Sequence, residues 1–336
     1  MKKNKKIQKI LKKKKYHWLI TGVAGFIGSN LLEELLLNDQ KVTGIDNLSN
    51  GFIKNLNDVK KNVSIKQWKK FKFINADICD LKKIKNIKKI DFTLHQAARG
   101  SVLKSIKDPI KTNHSNVTGF LNILNLSKES NVKSFVYASS SSVYGDSKVL
   151  PKKEFKTGKL LSNYALTKKI NEDYSELFFK QYKFKTIGLR YFNVFGKRQD
   201  PNGDYAAVIP RWIKKVLKNK TVEVYGDGKT SRDFTPVSDV VEANILCAIK
   251  VLPKNNYVFN VGNGRRTSLN QLIYRIYDNL NVPRSKYNLK YKSFRQGDIR
   301  HSLASIDSIK KTIGFKQTIT FDQALKFTIE WFRKND

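Results

Sequence analysis

The run TGVAGFIG at residues 21–28 constrains the fold more than any other stretch of the chain. It follows a short apolar segment, HWLIT, that reads as a strand, and it leads into an apolar-periodic segment from about Ile27 to Leu37 that reads as a helix. In that context Gly22, Gly25 and Gly28 serve three needs in turn, namely a tight turn, close approach of a diphosphate to the backbone, and close packing of helix on strand. The helix start, with Phe26 and Ile27 in its first turn, then offers unpaired N–H groups and positive potential to a phosphate. A glycine-rich turn with no ligand shares the bare pattern, so the rest of the chain has to decide between the two.

The alternation continues. KVTGID, FKFINAD, DFTLHQAA and KSFVYASS read as further strands, followed by a helix around Tyr164 to Tyr182 and the strand KTIGLRYFN. This predicts an α/β chain with a doubly wound parallel sheet covered by helices on both faces, a Rossmann arrangement. From about Val194 onward the chain is richer in Gly, Pro, Asn and Asp, as expected of loops joining the shorter elements of a smaller lobe. The expected organisation is a basic arm over 1–15, a dinucleotide-binding domain over 16–192 to which about 234–262 returns, and a substrate lobe formed mainly by 193–336. The arm carries Ile7, Ile10 and Leu11 at helical spacing, which fits a short helix lying on the body as well as it fits a frayed basic tail.

A formal charge of +37 points at first to a nucleic-acid partner. The excess is nearly all Lys and is spread through every segment, whereas a footprint needs clustering, so no dedicated nucleic-acid site is expected. A pull toward anionic substrates still follows. Cys79 and Cys247 stand far apart with no C-x-x-C pattern, which supports neither a disulfide framework nor a zinc site, and no metal is expected. The basic start followed by an apolar stretch imitates a signal peptide but lacks a small-x-small cleavage site and runs into Glu33 and Glu34. With no window suited to spanning a bilayer, a cytoplasmic location is expected, without membrane association.

Asp46 ends the second strand about twenty residues past the glycines, where a carboxylate takes both ribose hydroxyls and repels a 2′-phosphate. NAD is therefore expected rather than NADP. Asn47 stands beside it; Asp77 and Ile78 after the third strand could frame the adenine, and Gln96, Ala97 and Ala98 after the fourth would lie by the nicotinamide half. Tyr164 and Lys168 are four residues apart on a predicted helix, so phenol and ammonium share a face. A tyrosine titrates near pH ~10 in water; a nearby ammonium and a positive nicotinamide favour the phenolate, making Tyr164 a candidate base. The serine run Ser139–Ser142 ends a strand at the carboxyl edge of the sheet, where such folds bind ligands. Taken singly, a Tyr/Lys spacing is most often a surface pair and a serine run a plain loop; in this order on these elements they are not.

Together TGVAGFIG, Asp46, HQAA, YASSSSVYG and YALTK resemble the extended short-chain dehydrogenase/reductase family, and RYFNVFGKRQDPNGDYAAVIPRW, VYGDGKTSRDF and FRQGDIRHSLA narrow the resemblance to sugar-nucleotide 4-epimerases. Those segments look like the UDP-N-acetylhexosamine 4-epimerases of bacterial surface-polysaccharide synthesis, over about residues 16–330. The resemblance implies Tyr164 as base, Lys168 on the nicotinamide ribose, and Ser140 with Ser141 and Ser142 at the C4 oxygen. It implies Asn116 and Tyr191 as further cofactor contacts, and Asn193, Val208, Tyr225, Arg232, Arg295 and Asp298 as UDP-sugar contacts. It also implies a homodimer.

The implied cycle removes the C4 hydroxyl proton and the C4 hydride, turns the 4-keto sugar over, and returns hydride to the opposite face. Relatives that eliminate or decarboxylate carry carboxylates where this chain has Ser141 and Ser142, which argues against those reactions. Ser302, seven residues past Arg295, stands where strict UDP-glucose epimerases carry a bulky Tyr, and leaves room for a 2-acetamido group near Gly100 and Ser101. Arg99, Leu103 and Lys104 depart from that subgroup. Epimerases of UDP-glucose/UDP-galactose or UDP-glucuronate are the near alternatives; a basic, non-catalytic nucleic-acid-binding Rossmann protein is the remote one.

Overall fold

Seven parallel strands form one sheet in a computed structural model of the protein, which describes residues 5–84, 87, 89–202, 206–252, 256–294 and 299–335. The strands are β1 (His17–Thr21), β2 (Lys41–Asp46), β3 (Phe71–Asn75), β4 (Phe92–His95), β5 (Ser134–Ser140), β6 (Thr186–Tyr191) and β7 (Asn256–Val261). Their spatial order is β7-β6-β5-β4-β1-β2-β3, with every neighbouring pair parallel. The order reverses between β1 and β4, so the crevice beyond their carboxyl ends is where a doubly wound sheet takes its ligand.

The sheet is buried on both faces, which is why its strands read as near-continuous apolar runs. Alternate side chains divide between two cores: Trp18, Ile20 and Val136 enter one, while Leu19, Phe135 and Tyr137 enter the other. The main helices are α1 (Lys5–Lys13), α2 (Phe26–Leu37), α3 (Gly119–Glu129), α4 (Asn163–Tyr182), α5 (Val208–Leu217), α6 (Val237–Ile249), α7 (Leu269–Asn279) and α8 (Phe321–Asn335). Helices α2 and α6 supply the first core, α3 and α4 the second. A third core gathers Phe195, Trp212, Ile213, Leu272, Ile276 and Leu325 from α5, α7, α8 and the chain around them.

Of the two readings of the basic arm, the structure has the helix on the body. Ile7 and Leu11 are buried in the first core, each contributing roughly 1.5–3 kcal/mol of burial. The last turn of α1 is tied down as well: Gln40 Nε2 donates to the Leu11 carbonyl at 2.8 Å, satisfying an acceptor that has no partner within the helix.

Candidate active site

The glycine loop is built for close approach. Gly22 has φ +69°, and a Cβ there would stand 2.8 Å from the Ala97 nitrogen; a Cβ on Gly28 would stand 2.0 Å from the Gly22 carbonyl oxygen. Any side chain at either position would push the loop off β4 or off its own helix. Gly25 caps α2 with no side-chain cap bond, leaving the first-turn amides of Phe26 and Ile27 for a ligand.

Nine residues expected at the cofactor, Gly22, Gly25, Asp46, Asn47, Asp77, Ile78, Gln96, Ala97 and Ala98, line one cleft of about 560 Å³. Asp46 is buried and accepts from the Ala24 and Leu48 amides at 3.0 and 2.8 Å. Burial pushes its carboxyl above the ordinary value against the pull of those two bonds. Each oxygen keeps a second lone pair, which suits a ribose diol. Asn47 Nδ2 donates to Asp77 at 2.6 Å, so these two side chains stiffen the same wall. A glycine cradle that a single Cβ would fill, facing a buried carboxylate, fits a dinucleotide. Asp46→Ser is expected to weaken NAD binding by ~10-fold and to narrow the preference for NAD over NADP, since hydrogen bonds to a charged group contribute about 1.5–3 kcal/mol. Titration with both nucleotides reads this out, and an unchanged preference contradicts it.

Two expected cofactor contacts have their polar atoms engaged by the protein. Asn116 Oδ1 accepts from the Arg99 amide at 2.7 Å, and its Nδ2 donates to Thr167 Oγ1 at 3.1 Å and to the Arg99 carbonyl at 3.3 Å. It lies in a π-helical turn, His114–Thr118, and fixes the loop after β4. Tyr191 donates to Gln96 Oε1 at 3.0 Å and accepts from Asn244 Nδ2 at 2.9 Å, while Gln96 Nε2 donates to Asn244 Oδ1 at 3.0 Å. This closed triangle sets Gln96, so Tyr191 reaches the cleft through Gln96. Burial pushes the Tyr191 phenol up, keeping it a neutral donor.

At the chemical end, α4 carries Tyr164, Lys168 and Glu172 on successive turns. Ser162 caps the helix by accepting from the Ala165 amide at 3.1 Å, and Ser105 Oγ, from the short helix Val102–Lys107, accepts from the Tyr164 amide at 3.0 Å. Lys168 is 1% exposed; its Nζ donates to the Ala138 carbonyl at 2.9 Å and lies 5.9 Å from the centre of the Tyr164 ring. Burial lowers the lysine to about 8, against an upward pull from Glu172. The expectation of a lowered Tyr164 does not hold for the protein's own field: burial of the half-buried phenol outweighs the downward pull of Ser140 and pushes it up. Ser140 Oγ donates to Ser142 Oγ at 3.0 Å and accepts from the Ser142 amide at 3.1 Å, forming the turn that ends β5 and sets Ser141 in the helical turn Ser141–Tyr144. Ser139 belongs elsewhere, since its hydroxyl donates to Glu172 at 2.6 Å. His95, beneath Lys168, is buried and held neutral at about 3 by desolvation and then by the lysine.

Asn193, Val208, Tyr225 and Arg232 line a second cavity of about 780 Å³ on the loop-rich side. Asn193 has φ +33°, a region Asn tolerates better than most side chains, and its Nδ2 donates to the Asp233 carbonyl at 3.3 Å. The Ser302 amide donates to the Ser231 carbonyl at 3.1 Å, which sets Ser302 beside the strand bearing Arg232. Arg295 and Asp298 lie outside the described residues. Gly100 is exposed, and the Ser101 hydroxyl is engaged, accepting from the Lys104 amide at 3.2 Å as a helix cap. Sequence reasoning missed Ser105, Thr167, Asn244 and the buried Glu172–Arg190 pair; only Glu172, eight residues past Tyr164 on the same face, left a periodic signal. Among the described residues, no His/Cys/Asp/Glu group could hold a metal ion and no helix is long and apolar enough to cross a membrane.

The comparisons with known proteins agree with this geometry. A UDP-N-acetylglucosamine 4-epimerase from Methanobrevibacter ruminantium, solved in complex with UDP-N-acetylmuramic acid, superposes with a TM-score of 0.87 at 37% identity, covering 96% of this chain and 100% of that one. A UDP-glucose 4-epimerase from Thermotoga maritima, solved with UDP-glucose, superposes with a TM-score of 0.85 at 34% identity, covering 95% and 99%. The UDP-glucuronate 4-epimerase of Thermodesulfobacterium geofontis is 33% identical over 323 residues, 95% of this chain and 97% of the relative. The model of the NAD dependent epimerase/dehydratase family matches residues 18–262, most of the chain and all of the central sheet but its first residue, and the protein is a member of that NAD-dependent family.

Proposed function

We propose that this protein is an NAD-dependent UDP-sugar 4-epimerase whose substrate is a UDP-N-acetylhexosamine. The 4-epimerase reading follows from the family and the relatives; the acetamido preference is the further step. Its carrying observation is Ser302, a small half-buried residue whose backbone is bonded to the Ser231–Arg232 strand at the wall of the second cavity. A side chain of that size leaves volume for a C2 acetamido group. A relative named for UDP-N-acetylglucosamine supports the same reading. A relative named for UDP-glucuronate keeps the uronic acids in view, including N-acetylhexosaminuronates.

In the proposed reaction Tyr164 accepts the C4 hydroxyl proton and Ser140 holds the C4 oxygen, with Ser141 and Ser142 beside it. Bound NAD supplies the hydride acceptor and donor at C4. Lys168 holds a positive charge next to the phenol, lowering the cost of the phenolate. Arg232 faces the diphosphate, an anchor about which the 4-keto sugar turns to present its other face. Tyr164 then returns the proton to the inverted alkoxide, so no proton or electron is left over. The exposed apolar residues Ile106, Ile110, Leu166 and Leu177, around the helices that carry the site, fit a homodimer interface. Product separation after incubation with UDP-GlcNAc, its uronic acid, UDP-glucose and UDP-glucuronate tests the substrate. Turnover of the acetamido sugars is expected to exceed that of the others, and turnover of UDP-glucuronate alone overturns the reading.

A further inference from the structure

We propose that Glu172, clamped by Arg190, is a positioning residue of the reaction: it locks the register of α4 against β5 and supplies the negative charge that keeps Lys168 an ammonium beside Tyr164. The inference rests on Tyr164 and Lys168 being the reacting pair. Three consecutive residues at the end of β5 meet three successive turns of α4. The Ala138 carbonyl accepts from Lys168 Nζ at 2.9 Å and the Ser139 hydroxyl donates to Glu172 Oε1 at 2.6 Å, while Ser140, next along the strand, is the polar group that favours the ionised Tyr164 phenol. Glu172 is thus the middle tie between the strand that holds the sugar oxygen and the helix that holds the base.

The carboxylate itself is immobilised. Arg190, on β6, donates from Nε to Glu172 Oε1 at 2.9 Å and from Nη2 to Oε2 at 2.7 Å, a two-pronged pair with side chains 4% and 6% exposed. Arg190 is held in turn by donating to the Glu154 carbonyl at 2.9 Å and by lying 4.9 Å from the centre of the Tyr144 ring. With the guanidinium fixed from behind, Glu172 cannot swing away from the helix face it shares with Lys168.

The charge follows from where the groups sit. Lys168 is desolvated, and the carbonyl to which its ammonium donates is neutral. The titratable groups facing it are Tyr164 and Glu172 on its own helix and neutral His95 on β4; Tyr137 on β5 stands by Glu172 and Arg190, and burial pushes its phenol far up and keeps it neutral. Arg190 on β6 pairs with Glu172, and of the two it is Glu172 whose charge is felt more at Lys168. Glu172 is therefore the anion that offsets the burial of Lys168 among these groups. Without it the lysine loses its proton at lower pH, and the phenolate loses its supporting charge.

The test is the pH dependence of kcat in E172Q carrying NAD. The basic limb, where Lys168 deprotonates, is expected to move to lower pH by at least roughly one unit, with kcat near pH 8 down about tenfold and KM for the UDP-sugar unchanged. E172D, which restores the charge on a shorter stem, is expected to recover most of the limb. Where E172Q does not accumulate, E172Q/R190M removes the guanidinium that would be left without its carboxylate, and the limb is expected to move in the same direction by less, because the opposing charge of Arg190 is lost with it. An unchanged pH profile in either variant, with only the thermal midpoint lowered, overturns the proposal and leaves Glu172 a purely structural residue. Y164F run alongside separates the two levels: activity in that variant removes the underlying reading, whatever the Glu172 variants do.

Discussion

Tyr164→Phe lowers kcat by about a thousandfold while leaving the fold and the bound NAD in place. General acid–base catalysis contributes roughly 10²- to 10⁴-fold, and Tyr164 carries both the acid and the base step of the proposed cycle. The substitution deletes one oxygen from a half-buried ring and disturbs little else. The backbone of Tyr164 stays pinned by Ser105, Lys168 stays on the Ala138 carbonyl, and Ser140 keeps its bonds with Ser142. Cofactor released on denaturation and the thermal midpoint are therefore expected to match the unmodified protein. A kcat within a few-fold of normal removes Tyr164 from the reaction.

Ser302→Tyr is expected to separate the substrates. The backbone at this position is set by the bond from its amide to the Ser231 carbonyl, so a larger side chain is held beside the strand whose Arg232 lines the second cavity and cannot simply slide away. On UDP-GlcNAc, kcat/KM falls by about a hundredfold, corresponding to ~2.7 kcal/mol of lost transition-state stabilisation, whereas UDP-glucose, with a bare hydroxyl at C2, changes by no more than a few-fold. Equal losses on both sugars contradict the pocket argument, because they point to a general disturbance around Arg232.

Much of this is legible in the sequence because the physics behind it is local. The strand–glycine–helix run carries its pattern within residues 17–37, although Gly22 also meets Ala97 and the Ile45 carbonyl, and β2 spans Lys41–Asp46, the segment read as KVTGID. Asp46 lies within reach of the glycines because the strand bearing it is the next in the chain, paired to β1 residue by residue. The Tyr164/Lys168 pair can be read because four residues on a helix is a fixed geometry.

What escapes depends on partners far apart in the chain. Nothing in the neighbourhood of Asn116 shows that its amide will be taken up by Arg99 and Thr167, nor that Tyr191 will meet Gln96 and Asn244 across separations of 95 and 53 residues. The same holds for Arg190 on Glu172, an ion pair that exists only once β6 lies beside β5. The upward push on the Tyr164 phenol is hidden for a related reason: its neighbours are legible, but the degree to which the folded chain strips it of water is not. The overall charge of +37 carries no such information, since most of it is distributed over solvated lysines.

In the proposed chemistry, hydrogen leaves C4 of the sugar and returns to that carbon without passing through water. Epimerisation of a UDP-N-acetylhexosamine deuterated at C4 tests this directly, by mass spectrometry and NMR of the product. Full retention of deuterium at the inverted C4, with none gained from D₂O when unlabelled sugar is used, is the predicted result. Deuterium washed out to solvent, or solvent hydrogen appearing at C4 or C5 of the product, contradicts it.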